Sequence, residues 1–185
     1  MDKDKLIQAA LDCGATKATI IPVEQVVTNA VFRDICASNA CGGYGQCWMC
    51  PPDIGDIHEM MAEVREYRYG LLYQNISELE DSFDIEGMSE AGANHAKMSR
   101  VLEPLLSGLI DGKYLHLSSG GCRYCTRCAK RDNEPCRFPE QAMSSLEAYG
   151  IDVYNTTKDT PLKYINGPDT VTFFGMVLFT EENDG

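Results

Sequence analysis

The chain has 185 residues, 44% of them hydrophobic, which suits one domain with its own core. Its 16 basic and 28 acidic residues give a net charge of −12, which argues against nucleic acid as the main partner because phosphate binding depends on lysine and arginine. No apolar run approaches the ~20 residues that cross a membrane. We therefore expect a single domain over residues 1–185 that binds neither nucleic acid nor membrane.

Hydrophobic periodicity predicts alternating helices and strands. Five segments have helical spacing of apolar residues, and these are Lys3–Cys13, Glu24–Ile35, Asp56–Tyr67, Ser89–Ile110 and Pro139–Tyr149. Five segments have the composition of strands, and these are Lys17–Val23, Tyr69–Ile76, Lys113–Leu117, Ile151–Tyr154 and Val171–Thr180. The pattern predicts an α/β (or α+β) fold with a sheet of about five strands, packed helices and two cysteine-rich metal-binding loops. We expect the polar tail, Glu181–Gly185, to be frayed.

The first cysteine-rich loop, residues 36–52, holds four cysteines and no charged side chain. The four are Cys36, Cys41, Cys47 and Cys50. Its glycines let the backbone fold around a compact group and bring N–H groups close to sulfur. Tyr44 and Trp48 can shield such a group from water, which tunes a redox potential. Because four thiolates are what one metal centre needs, the loop is interpreted as an iron–sulfur site, with zinc or a non-ligating loop as the alternatives.

The second cysteine-rich loop, residues 120–139, has the spacing C-x2-C-x2-C-x7-C. Its cysteines are Cys122, Cys125, Cys128 and Cys136. Three cysteines at two-residue intervals can each reach a different iron of a cluster, and a fourth downstream completes the set. Zinc sites usually use two separated pairs, so zinc is the second interpretation. Basic residues in this loop would stabilise a reduced, negatively charged cluster, although a solvated basic loop explains them equally well.

The number and placement of the cysteines also indicate a compartment. Nine cysteines could form a secreted disulfide scaffold, but the count is odd and eight of them fall in two tight clusters. The first residues are charged and lack the apolar region of a signal peptide. This pattern is more typical of cytoplasmic proteins that bind metal or perform redox chemistry. Cys13, in the first predicted helix, is interpreted as a small buried hydrophobic residue.

Both cysteine loops resemble one known family. The relevant motifs are Cys41-Gly-Gly-Tyr-Gly with Trp48-Met-Cys50-Pro-Pro, Gly121-Cys122-x2-Cys125-x2-Cys128 with Pro135-Cys136-Arg137, and the stretch SLEAYGIDV from Ser145 to Val153. Together they resemble the cysteine-rich predicted metal-binding proteins called domain of unknown function 2284, over about residues 5–180. The resemblance implies cytoplasmic proteins of anaerobic bacteria and archaea with a metal or iron–sulfur role. It implies no established reaction.

The leading functional hypothesis is an iron–sulfur protein with one or two [4Fe-4S] clusters that transfers electrons to a redox partner protein. The eight cysteines of the two loops are the predicted cofactor and metal ligands. The first alternative is an iron–sulfur redox enzyme acting on a small molecule or cofactor, so enzymatic activity stays open. The second is a structural zinc-binding interaction protein. Spacing also allows one centre with ligands from both loops.

No catalytic residue is predicted, although side chains suited to acid–base chemistry are present. They are Tyr44, His58, His95, His116 and Lys163. His58 and His95 are expected on the surface of their helices. His116 alternates with apolar neighbours and is interpreted as a structural residue of its strand.

Overall fold

A four-stranded antiparallel sheet forms the centre of the protein in a computed structural model that describes residues 1–181. Its strands are β1 (Lys17–Pro22), β2 (Tyr69–Glu78), β3 (Tyr114–Leu117) and β4 (Thr170–Phe179). They lie in the order β1-β2-β4-β3, so the two longest strands are central and β3 is an edge strand. Most of the predicted tail, residues 182–185, lies outside the described range.

Five helices accompany the sheet within residues 1–181. They are α1 (Lys3–Asp12), α2 (Val31–Ala37), α3 (Ile57–Val64), α4 (Ile85–Leu106) and α5 (Val153–Thr157). Four of them follow an aspartate whose carboxylate accepts a backbone N–H of the first turn, and these caps are Asp2, Asp56, Asp84 and Asp152. None of the helices among the described residues is both long and apolar enough to cross a membrane.

Alternation along the central strands builds two hydrophobic cores, one on each face of the sheet. Leu71 of β2 faces one core, together with α1 and α4. Leu72 faces the other core, which includes Val64 of α3 and Ile151. The sheet is therefore covered on both faces, which agrees with the strongly apolar sequence of β2 and β4.

A buried polar network runs between α4 and the sheet. The Tyr73 hydroxyl lies 2.8 Å from Ser99 Oγ and 2.7 Å from His116 Nε2, and His116 Nδ1 lies 2.6 Å from Glu103 Oε2. These contacts fix the fully buried Tyr73 ring against Gly175, its direct partner on β4. They also agree with the structural role predicted for His116.

Several sequence predictions are wrong in detail. The sheet has four strands rather than five, because Ile151 forms only an isolated bridge with Thr28 and the residues that follow form α5. The helix predicted over Pro139–Tyr149 is irregular apart from a 3-10 turn at Glu147–Tyr149. The helix predicted over Glu24–Ile35 is a 3-10 turn at Val23–Gln25 followed by α2.

His95 is also placed differently from the prediction. Its side chain is fully buried beneath the sheet rather than exposed. Its two ring nitrogens lie 2.6 Å from Asn75 Oδ1 and 3.1 Å from the carbonyl oxygen of Phe174. His95 therefore links α4 to both central strands and is part of the packing.

Candidate metal centre

The second cysteine segment leaves the sheet at the end of β3 and returns beside its own starting point. The Ser118 N–H donates to the Ser144 carbonyl at 3.0 Å, and the Leu146 N–H donates to the Ser118 carbonyl at 3.0 Å. These two bonds close residues 119–143 into a loop. The Arg100 guanidinium donates to the Arg123 carbonyl at 2.7 Å and attaches the first part of that loop to α4.

The first cysteine segment begins inside a helix and continues through tight turns. Cys36 lies in α2, one residue before its end. The Cys50 N–H donates to the Cys47 carbonyl at 3.0 Å, which curls this C-x2-C pair into a turn. The Gly45 N–H donates to the Pro51 carbonyl at 2.9 Å and folds the segment back on itself.

Three interactions attach the two segments to each other. The Trp48 indole N–H donates to the Glu134 carbonyl at 2.8 Å. Lys130 forms an ion pair with Asp53, and both side chains are largely buried, at 20% and 14% exposure. The Lys130 ammonium also lies over the Trp48 ring, 4.2 Å from its centre. One lysine from the second segment is therefore held by Trp48 of the first segment and by Asp53, the residue that directly follows it.

We expect Lys130→Met to lower the free energy of unfolding by about 2 kcal/mol, because it leaves the largely buried Asp53 carboxylate without its cation. Urea unfolding followed by tryptophan fluorescence measures the loss and reports on the only tryptophan, Trp48. Arg131→Met, at the neighbouring exposed cation, is the matched control and should change stability by no more than about 0.5 kcal/mol. Equal losses in both variants would contradict a specific Lys130–Asp53 attachment.

The attachment brings Cys47 of the first segment among the cysteines of the second. Cys47, Cys122, Cys125 and Cys128 all border two neighbouring cavities. One cavity, of about 430 Å³, is also lined by Cys41 and by Arg123, Arg127 and Arg131, and we call it the arginine-lined cavity. The other, of about 20 Å³, is the aromatic-lined cavity, and its further lining residues are Trp48, Tyr124, Phe138 and Cys136.

Hydrogen bonds activate the thiol of Cys47. Hydrogen bonds from the Cys50 thiol, the Met49 and Cys122 N–H groups and the Cys128 thiol lower the pKa of Cys47 to about 6. The same bond to Cys47 raises the pKa of Cys50, which keeps the proton. A thiolate is the form that binds metal, so Cys47 is prepared for ligation at neutral pH.

A model of one protein family matches residues 19–179, and it describes a predicted metal-binding protein, DUF2284. The chain belongs to this family. The match covers every cysteine of both segments. No curated protein and no solved structure matches the chain.

The metal-binding property of the DUF2284 family can be compared with the thiols of this chain. Within residues 1–181, no three cysteine, histidine, aspartate or glutamate side chains converge on one point as the ligands of a single ion do. Five thiols instead border a cavity that has room for a polynuclear group, and four of them, Cys47, Cys122, Cys125 and Cys128, also border the aromatic-lined cavity. Cys47 and Cys122 each accept two backbone N–H groups, and such bonds to sulfur are one of the features that set cluster potentials. The donor set therefore fits an iron–sulfur cluster in type and number.

The structure divides the eight predicted ligands of this DUF2284 protein differently from their order in the chain. Cys47 lies with Cys122, Cys125 and Cys128. Cys136 borders the aromatic-lined cavity but not the arginine-lined cavity. Cys36, Cys41 and Cys50 line a third cavity, and Cys41 also borders the arginine-lined cavity. Cys13 is remote from these cavities and packs against the core formed with α1 and α4.

The side chains suggested for acid–base chemistry fall mostly outside the site. His58 and Lys163 are exposed, and His95 and His116 belong to the core between α4 and the sheet. Tyr44 lines the third cavity. Glu147 and Phe173 line it as well, and neither was singled out from the sequence, because they are brought there from the 3-10 turn and from β4.

Proposed function

We propose that this chain is an iron–sulfur protein whose two cysteine segments jointly hold a [4Fe-4S] cluster that transfers electrons to a partner protein. The supporting observation is the meeting of Cys47 with Cys122, Cys125 and Cys128 around one cavity. Four thiolates complete the ligand set of one such cluster. We call the site formed by Cys47, Cys122, Cys125 and Cys128 the joint site. The contacts of Lys130 with Asp53 and Trp48 support it, since they keep Cys47 close to the second segment.

The surrounding residues suit a redox role for this site. A bound four-iron cluster takes up and gives back one electron at a time, so the proposed role needs a one-electron donor protein and a one-electron acceptor protein. Trp48, Tyr124 and Phe138 line the aromatic side and would shield part of a bound cluster from water. The arginines of the arginine-lined cavity would favour the more negative, reduced state and raise the reduction potential. The net charge of −12 favours long-range attraction to a basic partner.

Anaerobic purification followed by iron, zinc and acid-labile sulfide assays tests this proposal. We expect a brown protein with about four or eight irons per chain and an equal amount of sulfide, together with the broad visible absorption of iron–sulfur clusters. A colourless protein with stoichiometric zinc would contradict the proposal and favour a structural zinc site.

Cys125→Ser is expected to remove about four irons and four sulfides per chain, because Cys125 borders both cavities of the joint site. Cys13→Ser is the control, since Cys13 packs against the core formed with α1 and α4 and should leave the iron content unchanged. The assays are those used for the parent protein. Unchanged iron in Cys125→Ser would show that the second segment does not bind the cluster in this way.

A further inference from the structure

A second group of thiols lies beside the joint site. Cys36, Cys41 and Cys50 line a cavity of about 350 Å³, which we call the three-cysteine pocket. A Cβ added at Gly43 would lie 3.6 Å from Cys41 Sγ and 3.2 Å from Cys50 Sγ, so both sulfurs approach the same glycine. One added at Gly121 would lie 3.5 Å from Cys50 Sγ. Glycines from both segments therefore make room for these sulfurs.

The three thiols are grouped closely enough to serve one bound group. All three border the same cavity, and the Cys41 and Cys50 sulfurs approach the same glycine, Gly43. Thiolates gathered in this way are stabilised together by a bound cation.

The fourth cysteine of the first segment does not complete this group. Cys47 borders the arginine-lined and aromatic-lined cavities, and its sulfur accepts the Cys122 N–H and the Cys128 thiol. Its ligand position is therefore taken by the joint site. A cluster bound in the three-cysteine pocket would have three thiolates for four irons.

The rest of the pocket has the character of a small-molecule site. Ile35, Tyr44, Ala148 and Phe173 form a largely apolar wall. The half-buried Glu147 is its acidic group, and burial raises the pKa of the carboxyl. The volume of about 350 Å³ lies in the lower part of the range of small-molecule pockets.

We propose that Cys36, Cys41 and Cys50 hold a second iron–sulfur cluster whose remaining iron faces the three-cysteine pocket and binds a small, uncharged, largely apolar molecule through a lone-pair donor atom. This inference rests on the iron–sulfur function proposed above. Uncharged ligands are favoured because three thiolates already make the pocket negative, and an anion would be repelled. The joint site beside it would supply electrons to the same pocket one at a time.

Isotopically labelled tert-butyl isocyanide is a suitable probe, because it is small, uncharged and apolar and binds iron through a lone pair. We expect the dithionite-reduced parent protein to show a shifted electron paramagnetic resonance signal with hyperfine coupling to the labelled carbon. The cyanide anion, tested at a pH that keeps it deprotonated, should need at least about tenfold higher concentration to produce a comparable change. A parent protein that holds two clusters and shows no coupling would overturn the inference.

Variants separate this inference from the proposed function. Cys36→Ser should lose the isocyanide coupling and about four irons, whereas Cys125→Ser should lose about four irons and keep the coupling. If Cys125→Ser loses iron and Cys36→Ser does not, the second cluster is contradicted and the joint site is supported. If the isocyanide coupling appeared in Glu147→Gln but not in the parent protein, Glu147 would be the fourth ligand of the second cluster. The proposed free coordination position on its remaining iron would then be wrong. Far-UV circular dichroism and the retained cluster of each variant verify folding.

Discussion

Replacing Cys47 with serine is expected to remove as much iron as replacing Cys125, although the two residues belong to different segments of the chain. The reason is that Cys47 borders both cavities of the joint site and accepts a hydrogen bond from the Cys122 N–H. The expected loss is about four irons and four sulfides per chain, measured after anaerobic purification. The remaining absorption and magnetic signals should match those of Cys125→Ser, since both variants lose the same cluster.

Cys136→Ser is the informative comparison for this prediction. Cys136 is the downstream cysteine of the second segment and borders only the aromatic-lined cavity of the two. We expect its replacement to leave most of the iron in place. If Cys136→Ser loses the cluster while Cys47→Ser keeps it, the four cysteines of the second segment form their own site. The joint site would then be wrong.

Gly175→Ala is expected to destabilise the protein strongly. Gly175 lies directly opposite Tyr73 across β2 and β4, and an added Cβ would lie 2.6 Å from Cε2 of that ring and overlap its Cζ and Oη atoms. Tyr73 cannot move away easily, because it is fully buried and bonded to Ser99 and His116. We expect a loss of about 3 kcal/mol in the free energy of unfolding, typical of severe overpacking.

Gly108→Ala is the matched control for this substitution. Gly108 is exposed after the end of α4, and an added Cβ would meet only the Leu105 carbonyl, at an ordinary 3.6 Å. Its replacement should change stability by no more than about 0.5 kcal/mol in urea unfolding. Similar unfolding midpoints for the two variants would mean that the Tyr73 ring can leave the position it occupies against β4.

The prediction of the fold succeeded where local signals are strong. The two long central strands and the long α4 helix were placed almost correctly, because an apolar pattern over many residues identifies its element without knowledge of its neighbours. The strand predicted at Ile151–Tyr154 failed because Asp152 caps a helix, accepting the Asn155 N–H at 2.9 Å. The helix predicted over Pro139–Tyr149 failed because Ser144 and Leu146 pair with Ser118, a distant residue that no local pattern reveals.

The placement of single polar side chains was harder to predict. His95 lies on a helix among mixed residues and was expected on the surface, yet it bonds to Asn75 of β2 and to the Phe174 carbonyl of β4. Its burial depends on how α4 crosses the two strands. Glu147 and Phe173 meet at the three-cysteine pocket for a similar reason, since they come from a turn and a strand that only the folded chain brings together.

The cysteines likewise show which features depend on local sequence and which depend on contacts between distant segments. Their spacing predicted two metal-binding segments, because the turns of a C-x2-C pair are formed by neighbouring residues, and their motifs correctly indicated membership of the DUF2284 family. The neighbours of each thiol were decided by the tertiary structure. Trp48, Lys130 and Asp53 attach the two segments, and this attachment places Cys47 with the second segment. Cys36, Cys41 and Cys50 share a separate cavity, and Cys41 borders the arginine-lined cavity as well. Segments far apart in the chain meet only through folding, so no spacing could reveal which thiols share a cavity.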